Sequence, residues 1–172
     1  SIVGEAENDR SGVPVSLSAN GSIVAIGAPY NDGTGSNSGS VRVYQNNFGT
    51  WTQIGQDIDG VGTNNFSGES ISLSSDGSIL AIGATQNDGN GTNSGHTRIY
   101  QYTNGTWTQL GQDIDGENSG DYSGLAVSLS SDGSIVAIGA PYNSDNGPLR
   151  GHVRIYQYAN TNGTWTQLGQ DI

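Results

Sequence analysis

Cysteine is absent from this chain of 172 residues, and so are methionine and lysine. Without thiols there is no disulfide framework, no thiolate metal site and no cysteine nucleophile. The sequence does not open on methionine, which reads as a processed product or a piece of something longer. Only five basic residues, all arginine, face sixteen acidic ones, so nucleic acid is excluded as a natural partner. Apolar residues make up only 32% of the chain, against roughly 45–50% in ordinary soluble domains. No apolar run is long enough for a transmembrane helix, so membrane insertion is not expected.

In place of apolar residues stand 28 glycines and many Ser, Thr, Asn and Asp, the residues of tight turns. Laid on itself, the chain repeats every 56 residues: Ser11-Gly12 falls over Ser67-Gly68 and Ser123-Gly124. SLSSDGSI occurs at 72–79 and 128–135, and TWTQLGQDI at 106–114 and 164–172. The one length change is a two-residue insertion between Tyr156 and Trp165 relative to Tyr100 and Trp107, as expected of a loop tip.

Each repeat holds four short runs with strand character and no sustained helical period. Strand A alternates (Val15-Ser16-Leu17, Ile71-Ser72-Leu73, Val127-Ser128-Leu129). Asn20-Gly21, Asp76-Gly77 and Asp132-Gly133 follow it and predict type I′ hairpins. Strand B, Ile23–Ala28 and its copies, is continuously apolar, as a strand covered on both faces must be. Strand C carries Val41-Arg42-Val43-Tyr44, Thr97-Arg98-Ile99-Tyr100 and Val153-Arg154-Ile155-Tyr156. Strand D, beginning Thr50-Trp51, is the most polar and forms the natural outer edge. The expected fold is all-β: a β-propeller of four-stranded antiparallel blades, three per chain. Blade 1 spans about 11–58, blade 2 about 67–114 and blade 3 about 123–172, with 1–10, 59–66 and 115–122 as connections.

Phe66-Ser67-Gly68, Tyr122-Ser123-Gly124 and the weaker Arg10-Ser11-Gly12, followed by Gly27-Ala28-Pro29, Gly83-Ala84-Thr85 and Gly139-Ala140-Pro141, resemble the FG-GAP repeats of integrin-α-type propellers and their bacterial surface relatives. The resemblance spans the whole chain. It implies a propeller, a secreted or cell-surface location and an adhesive or ligand-binding role. The family's calcium loop, D-x-D-x-D-G-x-x-D between strands A and B, is reduced here to Ser75-Asp76-Gly77-Ser78. One carboxylate does not supply the six to eight oxygens calcium takes, so no cofactor is expected from that loop.

Other candidate sites follow from the residues themselves. Asp113, Asp115, Glu117 and Asp121, with Glu5, Glu7 and Asp9 as the N-terminal counterpart, crowd the inter-blade connections, where calcium or another cation could bridge Asp115, Glu117 and Asp121. Arg42, Arg98 and Arg154 recur with Asp57, Asp113 and Asp171, and this pattern predicts structural ion pairs. Trp51, Trp107 and Trp165 suit either packing between blades or stacking on sugar rings. Asp32, Asp88 and Asp145 mark the polar B-to-C loops, where ligands are commonly bound on rigid scaffolds. His96 and His152 correspond to Ser40 and make a poor catalytic set.

Near-identical copies offer no asymmetric cleft for catalysis. The sequence therefore reads as a non-catalytic adhesive or scaffold module binding a protein or a surface, with a carbohydrate-binding lectin as the alternative. Three blades fall short of the roughly four to eight of closed propellers. A second copy, giving a six-bladed homodimeric ring, or further repeats of a longer chain would complete it.

Overall fold

The computed structural model describes all residues, Ser1–Ile172, and contains strands and turns without a helix. Blade 1 is built from β1 (Val15–Leu17), β2 (Ile23–Ala28), β3 (Ser40–Asn47) and β4 (Thr50–Gln53), with a two-residue β5 (Ile58–Asp59). Blade 2 repeats this as β6 (Ser70–Leu73), β7 (Ile79–Ala84), β8 (His96–Thr103), β9 (Thr106–Gln109) and β10 (Ile114–Asp115). Blade 3 comprises β11 (Ala126–Leu129), β12 (Ile135–Ala140), β13 (His152–Ala159) and β14 (Thr164–Gln167). Every pairing is antiparallel in the order A, B, C, D. The continuously apolar strand B is the best covered element: all six residues of β7 are buried.

Two details differ from the sequence expectation. The A-to-B connections are not two-residue type I′ turns. Gly21 N–H bonds to Ser18 O and Ser18 N–H to Ile23 O, so five residues separate the strands and only the glycine takes positive φ, +68° at Gly21 and +76° at Gly77. The preceding Asn20 or Asp76 instead uses its side-chain oxygen to accept from Ser22 or Ser78 N–H at 2.9 Å, the Asx geometry that competes with a primed turn. Positive φ at both central residues appears instead in the C-to-D hairpin, at Asn104 and Gly105. Second, the chain after strand D runs on in the same direction along strand C and adds β5 and β10 to the edge that β4 and β9 occupy, which places Asp59 and Asp115 opposite the start of that strand.

The apolar core lies between blades rather than within them. One cluster joins Val41 and Val43 of blade 1 to Ile71, Leu80, Ile82 and Trp107 of blade 2. A second joins Ile79, Ala81 and Ile99 of blade 2 to Val136, Ile138 and Trp165 of blade 3. The innermost strands are tied directly: Leu73 N–H donates to Ser16 Oγ and Leu129 N–H to Ser72 Oγ, each at 3.0 Å. The serine that interrupts the apolar alternation of strand A is therefore the link to the next blade.

Candidate functional site

The tryptophans fall in the blade joints. Trp107 and Trp165 are only 2% and 3% exposed. Each indole N–H donates to a carbonyl of the preceding blade, Trp107 Nε1 to Ile54 O at 3.0 Å and Trp165 Nε1 to Leu110 O at 2.8 Å. Each Trp backbone is clamped by a glutamine of that blade. Gln56 accepts from Trp107 N–H and donates to Trp107 O; Gln112 does the same for Trp165. Gly55 and Gly111 leave room for the rings, since a Cβ there would lie 2.6 and 2.8 Å from the indole Cδ1. Of the two roles open to them, Trp107 and Trp165 take packing between blades and not sugar stacking as ligand sites, since a buried, hydrogen-bonded indole offers no free face. Trp51 is half-buried, having no preceding blade against it.

The recurring arginines pair differently from expectation. Arg98 grips Asp113 with two hydrogen bonds, Nε to Oδ1 at 2.9 Å and Nη2 to Oδ2 at 2.7 Å. Arg42 instead meets Glu5 at 3.3 Å, and Arg154 meets Glu117 at 3.6 Å while donating to Asp115 O at 2.7 Å. The predicted Arg42–Asp57 and Arg154–Asp171 pairs are not formed. The reason lies one repeat away: Glu5 and Glu117 correspond to Val61. Only before blade 2 is this position not acidic, so only there does the arginine turn to the aspartate of its own blade. The three aspartates share another role, accepting from Gln53, Gln109 and Gln167 Nε2 at 2.6–2.7 Å.

The connection carboxylates divide into two groups. Asp121, like Asp9, is buried and structural. It accepts from Asn143 Nδ2 at 3.0 Å and Asn118 N–H at 2.9 Å, which removes it from any common cation site with Asp115 and Glu117. Asp115 and Glu117 themselves go to different histidines. Asp113 and Asp115 face His96 Nδ1 at 3.7 and 3.9 Å, while Glu117 and Asp171 face His152 Nδ1 at 3.7 and 3.5 Å. In sequence both histidines lack a third copy, since Ser40 breaks the threefold pattern. The short β10 strand, whose register puts Asp115 opposite His96, was the missing piece.

Electrostatics in the blade 2 group follow from burial and from Arg98. Burial, reinforced by the Arg98 charge and opposed by Asp113, lowers His96 from 6.5 to about 4. Burial pushes Asp113 upward, but the bonds from Arg98 and Gln109 outweigh it and hold the carboxyl below its usual range. Burial and then the Asp113 charge raise Asp115. Since His96 is depressed in the folded state, the unfolded chain takes up its proton first as pH falls. Stability is then full above about 6.5 and decays toward pH 4. Between pH 7 and pH 4.5, we expect His96 to cost roughly 2–3 kcal/mol. Urea midpoints measured at both pH values should show a smaller difference in H96S, the residue natural at this position in blade 1; an unchanged difference would count against the assignment.

The B-to-C loop aspartates brace their own loops and, at Asp145, the connection that leads into blade 3. Asp32 and Asp88 accept from Asn37 and Asn93 N–H at 2.8 Å, and Asp145 accepts from Asn118 and Asn143 side chains. All three are exposed. On the far flank of blade 3, a cavity of about 400 Å³ is lined by Leu125, Ala140, Val153, His152 and Ile172 among others. In blade 2 the corresponding space beside Gly83 and His96 is filled by the backbone of Ser123 and Gly124.

Residues 4–44 match the family model for the FG-GAP repeat. Over this stretch, the first of its three repeats, the chain is similar to an FG-GAP repeat. The aromatic and arginine residues of the FG-like elements, Arg10, Phe66 and Tyr122, share a positive φ of 52–54°. Among solved structures, the chain resembles a candidate 6-phosphogluconolactonase from Bacteroides fragilis, with a TM-score of 0.64 at 17% identity over 99% of this chain and 41% of that one. It also resembles a second such protein from Bacteroides uniformis, with a TM-score of 0.59 at 18% identity over 92% of this chain and 39% of that one. The β-propeller domain of the Trilobed protease from Pyrococcus furiosus follows at a TM-score of 0.50 and 10% identity, over 92% and 40%. At these identities the likeness concerns the fold, which is a β-propeller, and the chain spans about 40% of each. No curated protein matches the chain in sequence.

Proposed function

We propose that this chain is a non-catalytic module of a secreted or cell-surface protein, which completes its propeller by head-to-tail docking and presents its polar loops to a protein or surface ligand. One observation carries the reading: both halves of the blade joint stand open at the two flanks. On blade 1, Val15 and Leu17 are 59% and 58% exposed, whereas their counterparts Ile71 and Leu73 are buried. On blade 3, Val153 and Leu168 are exposed where Val41 is buried and Ile54 half-buried. A Cβ on Gly169 meets nothing, where Gly55 and Gly111 touch an indole. Trp51 and Gln170 are the matching halves of the clamp that Gln56–Trp107 and Gln112–Trp165 form within the chain.

Two chains related by a twofold axis would make both missing joints at once and give six blades. Light scattering at micromolar concentration should then report twice the 17.8 kDa chain mass. A monomer would overturn ring closure by a second copy. The lectin alternative loses its anchors in the buried tryptophans, and we expect silence across a glycan array.

A further inference from the structure

We infer that His152, Glu117 and Asp171 form a binding site for one divalent transition-metal ion of the zinc and cobalt class, joining blade 3 to the connection that leads into it. His152 is the starting observation. Its side chain is 2% exposed, yet neither Nδ1 nor Nε2 has a hydrogen-bond partner. An imidazole withdrawn from water with both nitrogens orphaned is costly unless something else satisfies it.

The surroundings of Nδ1 supply that something. Glu117 Oε2 lies 3.7 Å away and Asp171 Oδ2 3.5 Å away, too long for hydrogen bonds. Donor atoms about 2.0–2.1 Å from one zinc ion in a tetrahedron stand about 3.4 Å apart. The three donors lie within 4.8 Å of one another, so a small contraction closes the set.

Each carboxylate is also steered. Asp171 spends Oδ1 on Gln167 Nε2 at 2.7 Å and turns Oδ2 to the imidazole. Glu117 faces Arg154 with Oε1, at 3.6 Å, and the imidazole with Oε2. Such outer contacts orient metal ligands. Two carboxylates against one guanidinium leave a net negative charge for the cation, and a nitrogen donor favours zinc-like ions over calcium or magnesium.

The related group in blade 2 makes an internal contrast. His96, Asp113 and Asp115 are similarly close, but Arg98 and Gln109 occupy both oxygens of Asp113. A cation there would have to displace a bidentate arginine, so the blade 3 group is the binding one.

Calorimetric titration of the full chain with Zn²⁺, and of visible absorption with Co²⁺, tests this. One ion per chain is expected, with H152A weakening the affinity at least ~100-fold and H96A leaving it unchanged. E117Q, which keeps the shape of a half-exposed side chain, should weaken binding while circular dichroism stays native, and it decides the matter if H152A fails to fold. Absence of saturable binding, wild-type affinity in folded H152A or E117Q, or equal loss in H96A would each overturn the site.

Discussion

Replacing Trp107 or Trp165 with alanine is expected to destabilise the chain by about 3–5 kcal/mol, the range for removing a fully buried tryptophan. The loss has two parts: the ring vacates a core shared by two blades, and Ile54 O or Leu110 O loses its donor. Because the whole margin of a domain is about 5–15 kcal/mol, either variant should unfold at far lower urea. Trp51 is the same residue in the same strand but lacks a preceding blade. In a monomeric chain W51A should cost about 1–2 kcal/mol, well below the others, because Trp51 is half-buried and has no neighbouring blade to clamp it; in a closed ring it should cost as much as the others and split the ring. Urea denaturation with light scattering reads both. A large effect of W51A on a monomer, or none of W107A, would be inconsistent with the clamp.

Gly83→Ala is the second large effect, at least ~3 kcal/mol. The added methyl would fall inside contact distance of Gly124 O, on the backbone of the next blade, where no side chain can move aside. Gly139 is its counterpart in blade 3, and a Cβ there meets only Ala126, its Cβ at 3.5 Å and its carbonyl oxygen at 3.7 Å, both ordinary contacts. Gly139→Ala should therefore leave the isolated chain as stable as wild type. If blade 1 of a second copy docks on this flank, the same methyl should abolish the dimer. The pair of variants separates fold from assembly: G139A that remains dimeric would exclude this flank as the joint, and G83A with an unchanged urea midpoint would contradict the inter-blade geometry.

What the sequence made legible was whatever depends on local pattern. Ile79–Ala84 reads as a doubly covered strand because all six residues are apolar or small, and it is one. The order A, B, C, D follows from short connections between antiparallel runs. The A-to-B turn was misread because Asn20-Gly21 satisfies two turn types, and the choice rests on Asn20 Oδ1 bonding to Ser22 N–H, which a dipeptide rule does not see. The ion pairs were half read for a related reason. Repetition of Arg and Asp shows that both are fixed but not to whom, and the partner was decided by Val61 occupying one of three otherwise acidic positions. His96 and His152 lack a third copy in the sequence pattern, and their chemistry depends on Asp115, Asp171 and Glu117, which reach them only where the chain beyond strand D continues along strand C.

The glutamine–tryptophan clamp bears on how such a chain can lengthen. Each blade carries the receiving half on one side and the inserting half on the other, so a segment duplicated in frame arrives with neighbours already fitted on both sides. No new surface has to be invented for each added unit. Blade number is then free to drift through gene duplication until the accumulated rotation brings the last unit against the first, and the arithmetic of the circle, rather than any recognition residue, decides where growth stops.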